Sequence, residues 1–235
     1  MSRKIKAITF DLDDTFWDVK PVIINAEMKT RKFIEDKVGT LEWGSWEDFK
    51  VIREQLILED ASYEFDVGKL RKKLLLMKIK ESVSDPEAAN ELSEKAFQLF
   101  FKERNRVDFF PNVLDEIKKL ALIYELGCLT NGNADIEIIG IDKFFEFNIS
   151  SKDVGANKPS ENHFHSAREL LGFGKDEILH IGDHKINDML GAISYGCEAL
   201  WFNPDKRVWD LKDTKKPYEF STWKGLTEKI SSLYS

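Results

Sequence analysis

Ala7-Ile8-Thr9-Phe10-Asp11-Leu12-Asp13-Asp14-Thr15 is an apolar run that stops at two carboxylates one residue apart. Ile5, Ala7, Ile8 and Phe10 predict a short strand covered on both faces, as in a parallel sheet. In open α/β sheets ligands bind beyond the carboxyl ends of the strands, and side chains two apart on an extended chain point the same way. Asp11 and Asp13 are therefore candidates to share one metal ion and one substrate. The plainer alternative is a turn, where aspartate is common. The choice between them rests on partners elsewhere in the chain.

The 235 residues, 42% hydrophobic and 12% aromatic, suffice for a sizeable core in one domain, or in a core plus an insertion. A net charge of -7 supplies no basic footprint for a nucleic acid polymer or an anionic membrane. Cys128 and Cys197 each lie in apolar segments, which predicts two buried thiols in a reducing compartment rather than a disulfide or a zinc site. Arg3, Lys4 and Lys6 precede an apolar stretch that Asp11 interrupts, so a signal-peptide core is not expected. No stretch approaches the roughly 20 apolar residues of a membrane span. The expectation is a cytoplasmic protein.

After Thr15 the character changes. To about Arg106 the chain is rich in Lys, Glu, Leu and Phe at helical spacing, with breaks at Trp43-Gly44-Ser45-Trp46 and Asp66-Val67-Gly68. Its clearest helix spans Glu87–Phe101, after Ser84-Asp85-Pro86. From Pro111 strands and helices alternate: helix over Val113–Leu120, strand over Ala121–Leu129, a short strand over Asn148–Ser151, and helix over Glu161–Leu171. Strand over Ile178–Ile181, helix over Ile186–Tyr195 and strand over Ala199–Phe202 complete the series. Such alternation predicts an α/β fold with a doubly wound parallel sheet. Residues 1–15 and 107–235 are expected to form the core, with 16–106 as an all-α helical insertion.

Three more strand-end segments accompany the aspartate pair: Leu129-Thr130-Asn131-Gly132-Asn133, Ala156-Asn157-Lys158-Pro159, and Ile181-Gly182-Asp183-His184-Lys185-Ile186-Asn187-Asp188. A transferring phosphoryl group needs a hydroxyl and amides for its oxygens, a fixed cation, and usually a divalent metal. Thr130, Lys158 and Asp183 match those needs.

In this order the four segments resemble the haloacid dehalogenase superfamily of phosphohydrolases. The resemblance implies a Rossmann-like core and a helical cap of the C1 type, inserted after the first motif and large enough to close over the site. It implies Asp11 as the nucleophile that forms an aspartyl-phosphate, and Asp13 as the acid that protonates the leaving oxygen and then activates water. Mg2+ would be held by Asp11, Asp183 and the backbone carbonyl of Asp13, an oxygen-only set suited to a hard cation. Thr130 and the amide of Asn131 would hold the phosphoryl oxygens and Lys158 would neutralise them, with Thr15 and Asp188 just outside the ligands. The substrate would be a small-molecule phosphate ester and the protein a monomer or homodimer.

Asp13 separates readings within the superfamily. Carbon–halogen cleavage needs no proton on its leaving halide, whereas a phosphate ester gains from one, so a phosphatase is favoured over a 2-haloacid dehalogenase. A non-catalytic phosphometabolite-binding protein is the other rival. Phe10–Asp18 with Lys20-Pro21-Val22-Ile23, Phe144-Phe145-Glu146-Phe147 and Glu177–Asp183 further resemble the bacterial phosphatases of FMN and of 5-amino-6-(5-phospho-ribitylamino)uracil. A nucleotidase or sugar-phosphate phosphatase stays open. Trp17, Tyr63 and Arg71 are candidate substrate contacts, each with a packing alternative. His163 and His165 face apart on a helix and are expected to be solvated.

Overall fold

The computed structural model describes residues 5–234; Arg3 and Lys4 lie outside them. Six strands form one parallel sheet: β1 (Ala7–Phe10), β2 (Glu125–Thr130), β3 (Phe147–Ser150), β4 (Ile178–Gly182), β5 (Glu198–Phe202) and β6 (Tyr218–Phe220), in the spatial order β3-β2-β1-β4-β5-β6. All four residues of β1 are buried, as a central strand covered on both faces requires. It pairs Phe10 with Cys128 on one side and with Ile181 on the other.

The two sheet faces follow the alternation of side chains along the strands. On one, Ala7 joins Leu129, Phe164, Ala167, Met189 and Ala192 in a single apolar cluster. On the other, Phe10 meets Phe16 edge-on at 5.4 Å and stacks with Trp223 at 6.2 Å.

The chain divides into two units. One takes the residues up to Asp18 and from Asp108 onward; the other is Val19–Val107. The second is all helical, with α1 (Val19–Val38), α2 (Trp46–Glu59), α3 (Val67–Ile79) and α4 (Pro86–Arg104). Ser45 and Asp48 form a reciprocal cap at the start of α2, Asp66 caps α3, and Asp85 with Pro86 opens α4. Ile34, Leu75, Ile79, Ala89 and Ala96 make this unit's own core. No helix among the described residues is long and apolar enough to cross a membrane.

The first unit carries α5 (Val113–Leu120), α6 (Ile136–Ile139), α7 (Ser151–Val154), α8 (Asn162–Leu171), α9 (Gly191–Tyr195) and α10 (Leu226–Leu233). Three expectations need correction. Residues 121–124 form a turn rather than the start of β2, because the N–H groups of Ile123 and Tyr124 both return to the Leu120 carbonyl. The helix expected over Ile186–Tyr195 opens as a π-helical turn, Lys185–Leu190, before α9. His163 is fully buried rather than solvated, while His165 is exposed.

Gly127 of β2 lies opposite Phe147 of β3, and a Cβ on it would come 2.2 Å from the Phe147 ring. Gly127→Ala is therefore expected to destabilise the protein by about 1–3 kcal/mol through overpacking, measured by urea unfolding. Wild-type stability in that variant would show that Phe147 swings aside freely.

Candidate active site

Asp11 follows the last residue of β1, and its amide still donates to the Ile181 carbonyl at 2.9 Å. The strand therefore fixes its position. Thr130 ends β2, and Asp183 follows β4. With Asp13, Asn131, Gly132, Lys158 and Asp188 these residues line one cleft of about 150 Å³ beyond the carboxyl ends of the central strands.

Lys158 is the hub of the cleft. Its buried ammonium has three N–H groups and meets three acceptors: Asp11 Oδ1 at 2.8 Å, Asp188 Oδ1 at 2.7 Å and the Leu129 carbonyl at 2.6 Å. Burial alone would favour the neutral amine, but the charges of Asp11 and Asp188 outweigh it and raise the Lys158 pKa above the usual lysine value. Burial would likewise raise Asp188; the Lys158 ammonium and His180 overcome that and hold it low. Asp11 moves the other way. Burial, reinforced by Asp188 and Asp183, exceeds the pull of Lys158 and lifts it well above the usual carboxylate value.

Ligand atoms of Asp11, Asp183 and Asp188 all lie within 4.8 Å of one another. Burial, chiefly, and the charge of Asp188 push Asp183 up to about 7, against the Arg207 guanidinium. Three acidic groups crowded beyond what Lys158 and Arg207 neutralise, offering only oxygen, fit a hard divalent cation. Asp188, expected just outside the ligands, is part of this cluster. The Asp13 carboxylate is instead held by the Trp17 indole, whose N–H donates to Oδ1 at 2.9 Å.

Trp17 is fully buried and meets Phe109 edge-on at 5.7 Å. Expected as a candidate substrate contact, Trp17 is instead enclosed on both faces, with its indole N–H committed to Asp13. Thr15, also buried, donates its hydroxyl to Asp11 Oδ2 at 3.2 Å. The Thr130 hydroxyl accepts the Gly132 N–H at 2.9 Å. The Asn131 backbone amide stays at the cleft, as expected, while its side chain is committed elsewhere: the amide nitrogen donates to the Lys158 carbonyl at 3.1 Å and the oxygen accepts the Lys158 N–H at 2.7 Å. The Asn131 side chain thereby pins one loop to the other and leaves only its backbone for a ligand. Tyr63 and Arg71 lie in the helical unit, where Arg71 pairs with Glu27 and its guanidinium sits 3.7 Å from the centre of the Phe100 ring.

Sequence reasoning overlooked Thr9 and His180, paired residues of β1 and β4 joined at 2.9 Å between Thr9 Oγ1 and His180 Nδ1. His180 Nε2 lies 3.4 Å from Asp188 Oδ1, continuing a buried polar chain to Lys158 and Asp11. The available signal was one titratable residue inside the apolar run Ile178-Leu179-His180-Ile181. Gly182 is required here, since a Cβ on it would come 2.4 Å from Asp188 Cγ.

Burial, aided by Lys158, pushes His163 down to about 4. The unfolded chain takes up this proton near pH 6.5 while the folded protein refuses it until about 4, so stability is lost as pH falls through that window. The loss is expected to reach up to about 3 kcal/mol, and His163→Gln should flatten the acid limb of a Tm–pH curve. An unchanged limb would assign acid sensitivity to other groups.

A family model described as haloacid dehalogenase-like hydrolase matches residues 5–196. The 5-amino-6-(5-phospho-D-ribitylamino)uracil phosphatase of Escherichia coli K12 is 32% identical over 213 residues, covering 89% of this chain and 90% of that protein. A glyceraldehyde 3-phosphate phosphatase of Pyrococcus abyssi is 30% identical, covering 86% and 83%. Among solved structures, a chain described as the 2-haloacid dehalogenase of Pseudomonas syringae pv. tomato DC3000 superposes with a TM-score of 0.89 at 32% identity, covering 97% of this chain and 99% of that one.

Proposed function

This chain belongs to the haloacid dehalogenase-like hydrolases and is a phosphatase of that family, and from that footing we propose a Mg2+-dependent phosphomonoesterase acting through an aspartyl-phosphate. The preferred substrate is a flavin-pathway ester, either 5-amino-6-(5-phospho-ribitylamino)uracil or FMN. The observation that carries the reading is the meeting of Asp11, Asp13, Thr130, Lys158 and Asp183 in one cleft.

Asp11 would attack phosphorus in line with the ester oxygen, forming a P–O bond as the leaving alkoxide departs. Lys158 and Thr15 fix the two oxygens of the nucleophile, so its attack angle is set before substrate arrives. Asp13, oriented by Trp17, would give its proton to the alkoxide and then take one from the water that hydrolyses the acyl phosphate. The Thr130 hydroxyl and the neighbouring amides would receive the equatorial oxygens. Asp11, Asp183 and Asp188, with the Asp13 carbonyl, are the groups that would hold Mg2+, which supplies charge neutralisation for the phosphoryl oxygens. The buried free thiols of Cys128 and Cys197 fit a reducing, cytoplasmic setting.

The test is a phosphatase panel with Mg2+ that includes the ribitylamino-uracil phosphate, FMN, nucleotides, sugar phosphates and glyceraldehyde 3-phosphate. A kcat/KM for a flavin-pathway ester at least about tenfold above the others is expected; a flat profile or a nucleotide preference would remove the flavin assignment. The structural neighbour described as a dehalogenase favours a second reading. Chloride release from 2-chloropropionate without metal would establish it, and Asp13 argues against it.

A further inference from the structure

A second cavity, of about 740 Å³, lies between the segment after β5 and the start of α10. Lys206, Arg207, Lys216, Lys224 and Lys229 line it, with Glu219 as the one carboxylate. On a chain of net charge -7 this is a local reversal of sign inside a concavity, where field lines converge. Glu219 is already engaged by Lys216 at 2.6 Å, and Lys229 donates to its backbone carbonyl at 2.6 Å. Lys206 and Lys224 are exposed and form no ion pair among the described residues.

Two observations beyond charge give the cavity a direction. Arg207 Nε is buried with no hydrogen-bond partner among the described residues, a donor left over on a group that lines the cavity. The same guanidinium donates to the Asp183 carbonyl at 2.7 Å and lies 3.3 Å from Asp183 Oδ2. The apolar wall beside the cations is Trp209 and the exposed Val208. A dense anion with a flat apolar body matches this lining, and the cationic residues line one hollow rather than spreading over a convex face as a polymer would need.

We propose that this cavity binds a small organic polyphosphate, distinct from the substrate of the catalytic cleft, and that Arg207 links its occupancy to the Asp183 loop. Occupancy draws the Arg207 guanidinium toward the anion and loosens its grip on Asp183.

The test is calorimetric titration of the full chain with ADP in EDTA, where the Asp11, Asp183 and Asp188 carboxylates repel an anion from the catalytic cleft. One ADP per chain is expected, with no binding of adenosine. Lys206→Glu/Lys224→Glu should weaken ADP by about tenfold or more while keeping the wild-type Tm and the p-nitrophenyl phosphate rate without ADP. The amide resonance of Asp183 in a ¹H–¹⁵N spectrum should shift with ADP in the wild type and not in the double variant at the same concentration. Absence of millimolar ADP binding, equal affinity in the double variant, or tighter binding of a single-stranded oligonucleotide than of ADP would each overturn the proposal. Since the readout is binding to metal-free protein, a failed substrate assignment at the catalytic cleft leaves it intact.

Discussion

Asp11→Asn is expected to lower kcat on p-nitrophenyl phosphate by roughly 10⁴-fold or more without unfolding the protein. Asparagine keeps the shape of the side chain, and its amide oxygen can still accept from Lys158, now 2.8 Å from Asp11 Oδ1. What disappears is the oxygen nucleophile, and with it the covalent route. Stability should hold, because the substitution removes one negative charge from a cluster whose ligand atoms lie within 4.8 Å of one another. In EDTA the Tm of the variant should match or exceed that of the wild type. Acid-quenched wild-type protein should carry phosphate on Asp11 in peptide mapping, and the variant none. Residual turnover within tenfold of wild type would remove Asp11 as the nucleophile, whatever the ester.

Lys158→Met is expected to cost both activity and fold. The methionine stem fills much of the lysine volume, so the loss isolates the ammonium. Its removal leaves Asp11, Asp188 and the Leu129 carbonyl facing one another without their shared donor. Breaking a buried pair in this way costs about 3–5 kcal/mol. Lys158→Arg is not a rescue, since a planar fork cannot reproduce three N–H bonds diverging from one nitrogen. Lys158→Met combined with Asp188→Asn should recover part of the stability and none of the activity, and urea unfolding of the four proteins closes the cycle. Additive stability losses would show that Lys158 and Asp188 are not coupled through their 2.7 Å contact.

The central strands were legible because a parallel strand is covered on both faces, and Ala7–Phe10 and Ile178–Gly182 are buried and apolar apart from Thr9 and His180, which bond to each other. β6 was not, since three residues, Tyr218-Glu219-Phe220, are too few to carry a period. The site divides along a similar line. Asp11, Thr130 and Asp183 could be read because each ends or follows a recognisable strand; Lys158, expected at a strand end, instead follows the short helix α7 and was legible only from its order among the other segments. The contacts of the Asn131 and Trp17 side chains could not be read: they depend on how the backbone folds each toward its partner, Lys158 for one and Asp13 for the other. His163 was misread because a histidine on a helix carries no mark of which face is covered. Its burial follows from its neighbours in space, the Thr130 carbonyl at 3.3 Å and the Ser151 hydroxyl at 3.5 Å.

The sheet order β3-β2-β1-β4-β5-β6 also dictates a sequence of events on the ribosome. β1 is synthesised first, yet its partners are residues 125–128 and 178–181. At roughly 5–20 residues per second, the strand that positions Asp11 waits on the order of 10–30 s before its second neighbour exists. Contacts so distant along the chain slow folding, and an apolar strand left unpaired is a template for pairing with other chains. Asp11, Asp13 and Asp14, placed directly after that strand, charge its end throughout the wait and disfavour such pairing. The acids of the cleft would thus guard the nascent chain before there is any sheet for them to serve.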